Sequence, residues 1–511
     1  MARLLNRLSA LRAQQYDRLP VDEGEPSSPS KSRKRSRQSF WKWVAAVSSV
    51  VGLAVFYLVI RKAVQTDVES HNSCDTIDDG YRCSPSTSHF WGQYSLWFSV
   101  PSDVETVPPK GCSVSFASVL SRHGGRDPTL GKSLAYALLI EEIHNNSNAY
   151  PDEFAFLKDY KYTLGADQLT DAGRQEMVNS GAHFYRRYST LVADTPPFVR
   201  SGGQARVVES ANKWLKGFAE AGKHSAPAPI DVTIPEGPGY NNTLSHKICT
   251  AYEEGRFKEI GADAQRKWAT KFIPPIQSRV NSKLGTNLSE TSIIYLMDMC
   301  PFDTLASPTA SVSKFCNLFT EDEWHQYDYY QTLGKYYGFG NGNPLGPTQG
   351  VGYVNELIAR LTETPVNDHT NTNRTLDSNP VTFPLDRKVY ADFSHDNDMT
   401  RIFAAMGLYN TTRPLSNSTI EGTNVTNGYS AAWTVPFAAR MYVEKLRCEG
   451  EEEEFVRVIV NDRVMPLEFC EADDFGRCKL SKFVESQSFA RSGGHWDECF
   501  SQPAQSQKRE I

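Results

Sequence analysis

The sequence predicts an α/β fold with polar chemistry gathered where strands give way to helices. Three junctions carry that prediction. Residues 114–120 read as a strand and lead through SRHGGRDP (121–128) to a helical pattern from about Gly131; PPFVRSGG (196–203) leads to a helical pattern over 205–221; VYADFS (389–394) leads through His395 and Asp396 to a pattern over 397–407. Each is a short apolar run that ends in charged side chains before a helix begins, the position at which open α/β sheets gather ligands.

Composition sets the limits. The chain has 511 residues and is 40% hydrophobic, enough for a large core and, by length, two or three domains. A net charge of −6 argues against nucleic acid as the main partner. Ten cysteines without a CxxC pair read as a disulfide framework rather than a zinc or redox site, and so as a protein of an oxidising compartment. The N-x-[ST] sequons at Asn145, Asn241, Asn287, Asn373, Asn410, Asn417 and Asn424 agree with a lumenal or extracellular body.

In chain order, residues 1–42 are rich in Arg, Ser and Pro and carry the basic run KSRKRSR (31–37), the composition of a disordered tail. Residues 43–60, WVAAVSSVVGLAVFYLVI, are uncharged and about long enough to cross a bilayer as one helix. Basic residues crowd the N-terminal side, which places the N-terminus in the cytoplasm and makes the chain a single-pass type II membrane protein. A cleaved signal peptide, giving a secreted protein, is the competing reading; Arg61 and Lys62 at the end of the run, in place of a small-x-small site, weigh against it. Residues 61–72 form a stem, 73–500 the catalytic region and 501–511 a tail.

The globular part opens with Cys74 and Cys83 around a turn at Asp79 and Gly80. The aromatic run HFWGQYSLWF (89–98) reads as core packing, with a ligand platform as the alternative. After the first junction, Leu134, Ala137, Leu138 and Ile140 recur at helical spacing, and a further helix starts after Thr170. GFGNGNPLGPTQG (338–350) reads as loop, preceded by Lys335, Tyr336 and Tyr337, which line either an anion site or a solvated face. VRVIVNDRVMPL (456–467) reads as a hairpin around Asn461 and Asp462, and Glu451 to Glu454 as a solvent-facing loop.

The stretch 121–128 holds two guanidinium groups, an imidazole and two glycines. Arginine forks match phosphate oxygens bidentately, and a helix N-terminus adds free N–H groups. An ordinary turn histidine between surface arginines is the plain alternative for His123, and a solvated arginine the plain alternative for Arg200. Together, however, the junctions supply what phosphomonoester cleavage needs. Arg122, Arg126 and Arg200 neutralise phosphate oxygens, His123 attacks phosphorus, Asp396 protonates the leaving alkoxide and His395 adds a donor.

SRHGGRDP and FSHDN resemble the two motifs of the histidine acid phosphatase family, Arg-His-Gly-x-Arg-x-Pro and a later His-Asp pair. The likeness is greatest to secreted fungal phytases and runs from about Cys74 to Phe500. It includes CDTIDDGYRCSPSTSHFWGQY, YLMDMCPFDT, NPLGPTQGVGYVNELIARLT, SAAWTVPFAARMYVE and SFARSGGHWDECF. The resemblance implies a phosphoglycerate-mutase-like α/β domain with a mostly helical cap inserted roughly within 130–345 and the active cleft between the two. It implies a mechanism without metal or cofactor: His123 as nucleophile, Asp396 as proton donor, Arg122, Arg126, Arg200 and His395 as phosphate ligands. Lys158, Lys161 and Lys335 resemble the family's substrate-side lysines. The implied pairing joins Cys74 with Cys83, Cys112 with Cys448, Cys249 with Cys499, Cys300 with Cys316, and Cys470 with Cys478.

Three features depart from the secreted relatives: the apolar run at 43–60, Asp127 where many carry tyrosine, and Gly334 where some carry lysine. The expectation is a phosphomonoester hydrolase acting at acidic pH through a phosphohistidine, with myo-inositol hexakisphosphate as substrate. A broad acid phosphatase is the alternative within that class. A catalytically silent surface protein that binds inositol phosphates is the alternative outside it.

Overall fold

The computed structural model describes residues 76–78, 80–81, 87–192 and 196–501. The basic tail, the apolar run 43–60, the stem, the Cys74 and Cys83 pair and the chain beyond residue 501 lie outside the described residues. Among those described, no helix is long and apolar enough to cross a membrane.

The first strand, β1 (Cys112–Arg122), leads to helix α1 (Leu130–Asn146). Helix α2 (Asp171–Val192), strand β2 (Phe198–Gly202), helix α3 (Ala205–Ala221) and strand β3 (Val232–Ile234) follow. Next come the long helices α4 (Ile260–Leu284), α5 (Glu290–Ala306) and α6 (Glu321–Phe339), then α7 (Val351–Thr362). Strand β4 (Val389–Ser394) gives way at once to α8 (Asp396–Ala405), then come β5 (Arg440–Cys448), β6 (Phe455–Val460), β7 (Arg463–Val464) and β8 (Arg477–Lys479), followed by short helical turns over 480–500.

The strands form one sheet in the order β3-β2-β4-β1-β5-β6-β7, with β8 also on β6. The β1, β2, β3 and β4 pairings are parallel; β5 onward is antiparallel. Period-two alternation sorts side chains into two layers. Ala117, Val119, Val199, Ala391 and Phe393 pack under α2 and α3 with Phe184, Trp214 and Phe218. Phe116, Leu120, Phe198 and Tyr390 face the opposite core, which includes Ile273, Leu296 and Leu333 of α4, α5 and α6. The sheet, parallel through β3-β2-β4-β1 and antiparallel beyond, is therefore covered on both faces, as its parallel half requires.

The helices expected as one insertion arrive in two stretches, α1 and then α4 to α6, because the chain returns to the sheet between them through α2, β2, α3 and β3. On α1 the core face is Tyr136, Leu139, Ile140 and Ile143, whereas Leu138 is exposed. The aromatic run packs as expected, with Trp91, Leu96 and Phe98 buried. The hairpin turns at Asn461 and Asp462, both with left-handed φ (48° and 69°), the conformation Asn and Asp tolerate best. Glu454 is not a free surface charge: it accepts from Ser115 Oγ at 2.6 Å and pairs with Lys445 at 3.2 Å.

Among the described residues there are four disulfides: Cys112–Cys448, Cys249–Cys499, Cys300–Cys316 and Cys470–Cys478. The first ties the start of β1 to the end of β5, directly opposite in register.

Candidate active site

The parallel register aligns Arg122 with Ser394, so β1 and β4 release their polar residues side by side. Arg122 is fully buried. One of its Nη atoms donates to the carbonyl oxygens of Gln93 and Val435, the latter at 2.8 Å, and the other lies 3.3 Å from Asp396 Oδ2. Burial lowers its pKa to about 10, which leaves it cationic in neutral and acidic solution.

His123 is buried too. Its Nδ1 lies 2.8 Å from the carbonyl oxygen of Gly124. A carbonyl only accepts, so Nδ1 carries the proton and Nε2 keeps its lone pair. Burial, then the charges of Arg122, Arg206, His395 and Arg126, hold its pKa well below the ordinary histidine value. The result is an imidazole that stays neutral, and so nucleophilic, to lower pH than an ordinary histidine.

The loop after it is held from below. The Gly124 N–H donates to Ser210 Oγ on α3 (3.1 Å), the Gly125 N–H to Glu176 Oε2 on α2 (2.9 Å), and the Gly125 carbonyl accepts from Thr170 N (3.1 Å). A Cβ on Gly124 would lie 2.2 Å from the Gly173 carbonyl oxygen, and one on Gly173 would lie 1.8 Å from that of Gly125. Glycine is required at both places by backbone approach.

Arg126 donates to the carbonyl oxygen of Asp127 at 2.7 Å, and its Nε has no hydrogen-bond partner. The Asp127 carboxylate accepts the Gly165 N–H at 3.1 Å, tying down the segment that follows Lys161. Burial raises its pKa.

Arg200 departs from the expectation. It sits within β2, not at its end, opposite Asp392 of β4. Its Nε is 2.8 Å from Asp392 Oδ1 and one Nη is 2.6 Å from Glu356 Oε2. Asp392 also takes Arg360 at 2.6 Å. The Arg200 guanidinium is thus consumed in a buried network beneath the cleft. The cation that does reach the site is Arg206, in the first turn of α3. Its charge acts on His123 and is itself influenced by Arg126, Asp396 and Glu236, and its Nε has no hydrogen-bond partner.

At the third junction His395 caps α8, its ring centroid 5.5 Å from that of His123. Its Nε2 lies 2.9 Å from Glu236 Oε2, and Glu236 Oε1 accepts the Gln204 N–H at 3.2 Å. Glu236 thus joins three strand ends. Asp396 opens α8, with Oδ2 2.6 Å from Lys335 Nζ. Burial works to raise its pKa, but Arg122 and Lys335 overcome it and hold the carboxyl well below the usual range.

Lys335 also borders a cavity of about 590 Å³ with Tyr94, Lys132, Gln265, Arg266 and Tyr330. Lys132 is paired with Asp298 at 2.7 Å. Lys158 and Lys161 are exposed and do not line this cavity. Gly334 does line it; a Cβ there would meet Gln265 Nε2 at 2.6 Å, so Gln265 fills the space a longer side chain would need. Among the described residues no cluster of three or more His, Cys, Asp or Glu side chains is arranged to hold a metal ion.

The sequence reading missed Arg206 and Glu236. Arg206 carried a usable signal, being in the first turn of a helix that follows a glycine loop. Glu236 carried none, because its role arises only when three distant strand ends meet.

Residues 113–461 match the histidine phosphatase superfamily (branch 2). This chain belongs to that family. It is 51% identical to Phytase A of Aspergillus oryzae over 467 residues, covering 89% of this chain and all of the relative. It is 52% identical to Phytase A of Emericella nidulans over 461 residues, covering 88% and 98%. In fold it is similar to the crystal structure of the phytase from D. castellii, with a TM-score of 0.68, 22% identity and coverage of 82% of this chain and 89% of that one.

Proposed function

We propose that this family member is a phytase, a phosphomonoester hydrolase that removes phosphate from myo-inositol hexakisphosphate in acid through a phosphohistidine. The observation that carries the chemistry is the neutral His123 with a free Nε2 beside Arg122, Arg126 and Arg206. The near-complete overlap with Phytase A relatives supports the substrate.

In this mechanism Arg126, Arg206 and His395 receive the phosphate oxygens and Arg122 adds charge from the buried side. His123 Nε2 forms a bond to phosphorus, the ester P–O bond breaks, and the carboxyl of Asp396 delivers a proton to the leaving oxygen. Water then cleaves the phosphohistidine and restores His123. The cavity beside Lys335 provides room for the rest of a polyphosphate, with Lys132 and Arg266 on its wall. Lys158 and Lys161 remain candidates for the outer phosphates only.

A silent binding protein is motivated by Asp127 together with the apolar run at 43–60. The Asp127 carboxylate accepts the Gly165 N–H, which removes the first of these motives. Phosphate release by the purified protein at acidic pH, from phytate and from an aryl phosphate, tests the proposal. Release from both, with phytate preferred, is the expected result; preference for the aryl ester indicates a broad acid phosphatase, and no release from either refutes the enzyme. His123→Ala abolishes turnover on every ester.

We also assign residues 43–60 as a signal anchor that leaves the catalytic region outside the cytosol, a setting consistent with four disulfides. A cell-associated full-length protein with glycosidase-sensitive mass is expected. A released form that begins near residue 63 would show cleavage instead.

A further inference from the structure

The geometry points to Lys335 as the proton reservoir of the reaction, passing a proton through the carboxyl group of Asp396 to the leaving alcohol. This rests on the reading of Asp396 as proton donor, and it answers a difficulty in that reading. An acid with Arg122 and Lys335 at 3.3 and 2.6 Å rests as a carboxylate. It has no proton of its own to give.

The proton closest to it is on Lys335. Nζ lies 2.6 Å from Asp396 Oδ2 and 2.6 Å from Asn397 Oδ1, two acceptors that fix the ammonium at the start of α8. The other neighbour of Asp396, Arg122, is cationic too, but it lies farther off at 3.3 Å, and its other Nη is held by the carbonyl oxygens of Gln93 and Val435. Lys335 is 6% exposed and packs with Nζ 5.2 Å from the centre of the Phe339 ring. The charged groups that act on it most strongly are Asp396, Arg122 and Arg126, and Lys132, Arg266 and Glu290 line the same cavity. Burial, and then the two arginines against the opposing pull of Asp396, leave its pKa lowered. Release to a developing alkoxide, a far stronger base than an amine, is thereby eased. The side chain also borders the 590 Å³ cavity, a route by which solvent protons reach it.

The cycle balances without another reagent. As the His123 Nε2–phosphorus bond forms and the ester P–O bond breaks, the leaving oxygen takes the bonding pair. Asp396 gives that oxygen a proton, and an Nζ proton moves to the carboxylate, so that the alcohol departs and Lys335 is left as a neutral amine. When water attacks the phosphohistidine, the electron pair of the N–P bond returns to Nε2. The water's proton passes to Asp396 and on to Lys335, restoring the ammonium. Lys335 is then a catalytic group acting on the proton, and not only a positive charge beside the substrate.

Arginine and glutamine separate these two roles. Lys335→Arg keeps the charge but holds its protons, and Lys335→Gln keeps a donor to Asp396 but loses the charge. The test measures kcat and KM of the full chain in acid on glycerol 2-phosphate, whose alkoxide needs a proton, and on p-nitrophenyl phosphate, whose phenolate does not. Both variants are expected to lose about 100-fold in kcat on the alkyl ester, within the range of general acid catalysis, and less than about 5-fold on the aryl ester. Retained aryl turnover also reports that the variants fold. Wild-type kcat on the alkyl ester in Lys335→Arg, equal losses on both esters, or a change confined to KM would overturn the proposal. Asp396→Asn measured alongside distinguishes the levels. If it too loses equally on both esters, the proton-donor reading itself fails; if it is selective and the Lys335 variants are not, only the relay fails.

Discussion

Two arginines six positions apart show how residue chemistry divides between scaffold and site. Arg200 is fully buried and bound to Asp392 and Glu356, so removing it leaves Glu356 without its cation and Asp392 with Arg360 alone. Breaking a buried pair from one side costs about 3–5 kcal/mol. Arg200→Ala is therefore expected to lower the unfolding midpoint sharply. Arg206 has no such partners among the described residues: its ion pair there, to Asp167, is at 3.6 Å. Arg206→Ala should leave the midpoint nearly unchanged while weakening inhibition by inorganic phosphate about 10-fold or more, the value of a charge-assisted contact. Calorimetry and phosphate inhibition of both variants decide it; a stable Arg200→Ala that has lost phosphate affinity would reverse the assignment.

At the scale of elements, the junctions were readable and their depth was not. The helix read over 205–221 and the strand read over 389–394 have those bounds in the structure, because each is a clean periodic run between glycine or polar stops. Strand β2 runs two residues past Arg200, because Ser201 and Gly202 still pair with β3. That extension is tertiary, and it turned an apparent strand-end ligand into a buried strut. His123, His395 and Asp396 were legible since short motifs place them at a β1 or β4 terminus. The two-part course of the helical region was hidden for the opposite reason: β3 is three residues long and has little local signal. Packing of α2 makes its own prediction. A Cβ on Gly181 would meet the Trp214 carbonyl oxygen at 1.9 Å, and one on Gly217 the Val178 carbonyl oxygen at 1.9 Å, so α2 and α3 touch through reciprocal glycines. Gly181→Ala is expected to destabilise by about 1–3 kcal/mol through overpacking. Since α2 and α3 also carry Glu176 and Ser210 beneath the His123 loop, kcat should fall with it. Unchanged denaturant midpoint and kcat in Gly181→Ala would contradict this coupling.

For the whole molecule, buried titrating groups set the pH range over which the fold is firm. Burial raises the carboxyls of Glu176 and Asp328 to about 7 and that of Asp377 to about 8. Between the unfolded carboxyl value, about 4, and those folded values the native state binds more protons, so each contributes stability that is lost as pH rises. Buried His123 and His183 act in the opposite sense. Burial holds both below 6.5, His183 at about 4, so the unfolded chain binds more protons below about 6.5 and their contribution is lost as pH falls. Between about 4 and 6.5 the two groups oppose each other and the slope is shallow. Above about 6.5 only the carboxyls still act, and stability declines. Below about 4 a third set takes over. Despite burial, Asp392 beside Arg200 and Arg360, and Asp398 beside His246, are held at about 2, with Asp396 also well below its usual value. Their stabilisation is lost as pH falls through those values. The unfolding midpoint should therefore change most slowly over about pH 4–6.5 and fall more steeply on both sides. Scanning calorimetry at about pH 3, 5 and 8 checks this; a midpoint at pH 8 equal to or above that at pH 5 would show that the buried carboxyls do not control the alkaline limb.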